Sequence, residues 1–187
     1  VAKEFAAKKG AGYVFLKSGG ATLRARIDFR EEFNVSARKE VAIEKVLFIS
    51  EDGDQHPDLA IVKLASSSRL PDPIPLFAGS PKKDQAVVVI GYPASDPRNS
   101  AAAQATVFGD VFEVKRLSPG FVTQQANGFI FQHDCATLGG NSGSVVVDIE
   151  TGEAVGLHFG GRFRQANFAV TAAQIRQVLR KLRVQVA

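Results

Sequence analysis

Leu23, Ala25, Ile27 and Phe29 alternate with Arg24, Arg26 and Asp28, a period of two that predicts a half-buried β-strand. Apolar runs of strand length recur at residues 41–49, 59–64, 86–92, 105–117, 128–133, 144–149 and 154–159. Turn-forming clusters such as EDGD and PASDP separate them, which argues for an all-β sandwich or barrel. Two segments depart from this rhythm. The opening VAKEFAAKKG reads as a short helix closed by glycine, with Val1, Phe5 and Ala6 facing inward. Near the end, Thr171 followed by Gln174 starts a capped helix that gathers Ile175, Val178, Leu179 and Leu182 on one face. Arg176, Arg180, Lys181 and Arg183 fall on the other side, which reads as solvated. A stretch rich in proline and polar residues, 69–85, is expected to join two β halves.

Composition narrows the class without choosing a function. The 187 residues are 45% hydrophobic and 22% charged, as expected for an ordinary globular domain able to bury a core. No run of about 18 apolar residues offers a membrane span. The chain opens on valine and lacks methionine, so it is expected to be part of something longer. Its single cysteine, Cys135, forms no internal disulfide and is expected to be a small buried residue, which leaves the compartment open. A net charge of +4 permits acidic partners without requiring nucleic acid. The scattered histidines make no metal set, and Asp52, Asp54 and Asp58 lack the glycine and glutamate of a calcium loop. Neither a metal nor a cofactor is expected.

The segment DCATLGGNSGSVVVD, residues 134–148, carries candidate chemistry. A serine hydroxyl attacks a carbonyl only when a base removes its proton and N–H donors receive the oxyanion. Gly139 and Gly140 free the backbone so that the N–H groups of Gly140 and Ser142 can share one hole. A tight turn with an incidental serine explains the glycines equally well. The candidate bases are His56, His133 and His158.

GGNSGSVVV resembles the nucleophile loop of the chymotrypsin-fold serine peptidases, and HPDLAIVKL resembles their aspartate segment. The resemblance implies two antiparallel β-barrels with a C-terminal α-helix. Residues 1–80 would form a partial first barrel with the helix that comes after the catalytic histidine, and residues 81–187 the second barrel. Ser142 would be the nucleophile, Asp58 the acid of the triad, and Gly140 with Ser142 the oxyanion hole. In that family the histidine precedes the aspartate. His56 lies only two residues before Asp58, while His133 and His158 come after it. VAKEF resembles the family's segment directly after such a histidine. The base is therefore expected upstream of residue 1, the first barrel is expected to lack its N-terminal strands, and this chain alone is expected to be inactive or nearly so.

Ala136 occupies the position where trypsin-like members that cut after Lys or Arg carry an aspartate. GLHFGG and Thr137 instead resemble the glutamyl endopeptidases, which implies a preference for an acidic residue before the cleaved bond, held by His158 and Thr137. Arg162 and Arg164 would add positive field. Phe159, Gly160 and Gly161 would pair with the substrate as an added strand. The partner implied is a polypeptide substrate, together with the missing N-terminal segment or further domains of the parent. The rival reading is an inactive barrel kept for peptide binding or scaffolding. A third, nucleic-acid binding through the basic helix, predicts steep salt dependence.

Overall fold

The computed structural model describes residues 2–51, 53, 56–67, 70–163 and 165–184. Val1, Asp52, Asp54, Arg69 and Arg164, on which some of the sequence expectations fall, lie outside the described residues. The chain divides into two compact units, one of residues 1–31 and 35–72, the other of residues 32–34 and 73–187.

The first unit is built from short antiparallel pieces. One helical turn, α1 (Ala2–Phe5), leads into a hairpin of β1 (Ala6–Lys9) and β2 (Gly12–Phe15), and a second small hairpin pairs β3 (Lys17–Ser18) with β4 (Ala21–Thr22). β5 (Arg26–Asp28), β6 (Glu40–Ile49) and β7 (Ala60–Leu64) make a three-stranded sheet. The opening ten residues are therefore not one helix. Gly10 adopts the left-handed φ of +60° at a hairpin turn instead of closing a helix, and Ala6 is buried with Phe5 half-buried beside it. A short helix of four residues has too few internal hydrogen bonds to outcompete strand pairing with residues 12–15. The alternation at residues 23–29 holds as burial, with Arg24 and Arg26 exposed, although the regular strand spans only Arg26–Asp28. Asp28 leaves the pattern because its carboxylate accepts the backbone N–H groups of Arg30 and Lys39, which hold it below the usual carboxylate range.

The second unit is organised around a closed six-stranded antiparallel barrel. Its strands are β8 (Ala86–Gly91), β9 (Arg116–Asn127), β10 (Ile130–His133), β11 (Val145–Asp148), β12 (Ala154–Arg162) and β13 (Ala166–Thr171). They run around the barrel in the order β10, β13, β12, β11, β8, β9, and β9 closes onto β10. Val87, Val89, Val122, Phe131, Cys135, Val146, Val155 and Ala169 fill the interior. Closure gives each strand two partners, although β12 pairs with β11 only as far as Leu157.

Residues 105–117 do not form one strand. Ser100 caps a helix, α2 (Ala101–Phe108), by accepting the Ala103 N–H, Gly109 ends it with a left-handed φ of +61°, and β9 begins only at Arg116. The alanine run AAAQA favours helix strongly, and with a cap at each end it overrides the apolar spacing beyond it. The terminal helix α3 (Ala172–Lys181) starts where the capping signal placed it, with Thr171 Oγ1 accepting from Gln174 N–H at 3.2 Å. Val178 is buried and Ile175, Leu179 and Leu182 are half-buried. Arg176 departs from the expected solvated face. It is half-buried and donates to the carbonyls of Leu76 and Phe77, tying the helix to the strand-entry segment. No helix among the described residues is long and apolar enough to cross a membrane.

Candidate active site

The loop between β10 and β11 is held by backbone bonds on both sides. Ala94 N–H donates to Gly139 C=O at 2.7 Å, Gly143 N–H to His158 C=O at 2.7 Å, and His158 N–H to Ser144 C=O at 2.8 Å. Asn141 is buried and Ser144 N–H bonds to its carbonyl, which closes a turn with Ser142 at its exposed tip. Gly140 has a φ of +87°, and a Cβ there would lie 2.4 Å from the Tyr92 carbonyl oxygen. Glycine is required at this point on both counts. Gly91 on β8 is as tightly placed, since a Cβ would sit 1.9 Å from Ser144 Oγ and 2.4 Å from Asn141 Oδ1.

Ser142 Oγ donates to the carbonyl of Phe159 at 3.0 Å. Among the described residues the N–H groups of Gly140 and Ser142 have no intramolecular acceptor. Asp58 is exposed and lies in the first unit just before β7, with Leu59 buried next to it. His56 is exposed in the same loop.

A cavity of about 440 Å³ opens beside Ser142, lined among others by His133, Thr137, His158, Gly161 and Asn167. It brings together Thr137, His158, Gly160, Gly161 and Ser142 of the expected site residues. A bulge between His158 and Gly160 aims His158 into the barrel, where it is 2% exposed. There its Nδ1 lies 3.1 Å from Nε2 of His133, which is fully buried, and the two rings meet edge to face at 5.2 Å. Burial drives both imidazoles toward the neutral form, His133 down to about 3 with the neighbouring His158 adding to it, and His158 down to about 4.

Thr137 Oγ1 donates to Asn167 Oδ1 at 2.8 Å, and Asn167 Nδ2 donates to the carbonyl of Cys135 at 2.9 Å. Cys135 is a core residue, its thiol pushed up to about 12 by burial, so it stays protonated and inert. Asp96, held at about 2 by the Arg98 guanidinium, and Arg98 stand at the rim, while Arg162 lies over the Phe168 ring at 5.9 Å. His133 and Asn167 were missed as site residues in the sequence. The available signal was the strand register, since His133 pairs with Asn167, and Asn167 pairs with Gly161, across three neighbouring strands. No group of three or more His, Cys, Asp or Glu among the described residues is placed to hold a metal ion.

Residues 11–157 match the family of trypsin-like peptidase domains. The chain belongs to that family. A polypeptide is accordingly its class of substrate, and the closed barrel with a C-terminal helix is consistent with a trypsin-like fold. Among solved structures, the inactive serine-to-alanine form of Rv3671c from M. tuberculosis H37Rv is similar in fold. It has a TM-score of 0.51 and 17% identity, over 91% of this chain and 80% of that one. No curated protein matches the chain.

Proposed function

We propose that this domain is a serine endopeptidase in which Ser142 attacks the carbonyl of the cleaved bond. The observation that carries the reading is the loop itself. It offers an exposed hydroxyl and two N–H groups without an intramolecular acceptor beside a cavity of about 440 Å³ on a closed barrel. A developing oxyanion would be received by Gly140 and Ser142 N–H, donors whose fixed direction removes reorganisation cost at the moment of attack. Ser142 Oγ now bonds to Phe159 C=O, an acceptor that cannot take its proton, so a base must be supplied. His133 and His158 are committed to each other, so neither is placed to serve as that base.

The substrate would lie as a strand against Phe159, Gly160 and Gly161. On the β11 side the ladder of β12 reaches only to Leu157, which supports a free edge along these residues. The side chain before the cleaved bond would enter the cavity. His158 and Thr137 support a polar side chain with an oxygen at its tip, an acidic residue or its carboxamide counterpart. The test is reaction of the protein with a fluorophosphonate, then peptide mass mapping. Phosphonylation confined to the peptide containing Ser142 is expected. Labelling elsewhere, with Ser142 unmodified, contradicts the proposal.

A further inference from the structure

The hydrogen-bond directions in the cavity wall can be assigned from one fixed point. The Cys135 carbonyl only accepts, so the Asn167 atom 2.9 Å from it is the amide nitrogen. The amide oxygen of Asn167 therefore faces Thr137, and the Thr137 hydroxyl must spend its proton there. What Thr137 presents to a ligand is lone pairs alone.

The histidine pair yields the complementary group. His133 Nδ1 is buried with no partner, and one proton joins its Nε2 to Nδ1 of His158. If His158 donated that proton, His133 would carry a buried, orphaned N–H, the rarer and costlier defect. His133 therefore donates, and neutral His158 keeps its proton on Nε2, the ring nitrogen left for the cavity. The charged residues among the described cavity lining, Asp96, Asp134, Arg98 and Arg162, sum to no net charge, and Asp96 pairs with Arg98. Burial keeps both imidazoles neutral at pH 7, so they bring no cation to a carboxylate.

We propose that this cavity recognises the carboxamide of a glutamine before the cleaved bond in preference to the carboxylate of a glutamate. The His158 Nε2–H would meet the amide oxygen, and the Thr137 oxygen would accept an amide N–H. A carboxylate there would set a second acceptor against Thr137, and one unmatched polar contact in a buried site is worth about tenfold or more in affinity. The inference rests on the proposed reading of the cavity as the pocket for that residue, and the experiment separates the two.

Acetylated tetrapeptides ending in glutamine, glutamate or alanine are titrated into the ¹⁵N-labelled chain at pH 7.5 and monitored by NMR. The glutamine peptide is expected to bind about tenfold or more tighter than the glutamate peptide. His158 should stay neutral in the complex, read from its imidazole nitrogen shifts. Thr137→Val should close the gap by weakening glutamine binding alone, and Thr137→Ser should preserve it. Glutamate binding as tightly as glutamine, or a protonated His158 in the complex, overturns the amide inference and leaves the pocket reading standing. Equal binding of all three peptides, or of none, overturns both.

Discussion

The two units differ in how they bury their strands. In the barrel unit every strand has two partners, and the interior closes on Phe131 and a ring of valines. In the other unit the strands form sheets of two or three, and the buried hydrophobic residues are Ala6, Val41, Val46 and Leu59 among those described. The turn of Ser142, the N–H groups of Gly140 and Ser142 and the described cavity lining all belong to the barrel unit, whereas Asp58 is exposed in the other. The contrast teaches that precise hydrogen-bond directions, such as those of His158 and Asn167, are placed where packing leaves least freedom.

Stability measurements bear on that contrast directly. Phe131→Ala removes the largest fully buried side chain of the barrel and is expected to cost about 3–5 kcal/mol, read from denaturant midpoints. A cost below about 1 kcal/mol would mean that the barrel is not the rigid half. pH offers a second probe. The unfolded chain protonates its histidines near pH 6.5, while folded His133 and His158 resist until about 3 and 4. Between those limits the unfolded state binds more protons, so stability is full above about pH 6.5 and falls as pH drops, by a few kcal/mol near pH 4. His133→Phe should flatten that part of the melting-temperature profile.

Smaller effects are expected at the helix cap and in the open sheet. Thr171→Ala deletes the N-cap of α3 and is expected to cost about 1 kcal/mol, while Thr171→Asp retains most of it. Lys63→Ala breaks an exposed pair with Glu44 in the open sheet and should change stability by less than about 0.5 kcal/mol. Amide exchange compares the halves directly. Protons of β8 and β11 should exchange only through global unfolding, and those of β3 and β4 well before it.

The tight glycine turn around Ser142, the capped terminal helix and most barrel strands were legible because each is written locally: glycines at a turn, a cap three residues from its partner, period-two apolar runs. Two local readings failed through competition between nearby signals. The first ten residues carry helix formers, yet pairing with residues 12–15 draws them into a hairpin. Residues 105–117 carry strand spacing, yet Ser100 and Gly109 delimit a helix that ends before the strand begins. The cavity wall was less legible because its order is that of the sheet. His133, Asn167 and His158 lie on strands brought together only by barrel closure, and the direction of Thr137's proton depends on Asn167, thirty positions away in the chain.

The central claim is that Ser142 is the nucleophile of a peptidase. It is tested most directly by comparing cleavage of a peptide library by the protein with cleavage by its Ser142→Ala variant, at matched melting temperature. The account predicts a loss of about a thousandfold or more in kcat/KM for the variant. Equal cleavage by the two proteins would contradict it.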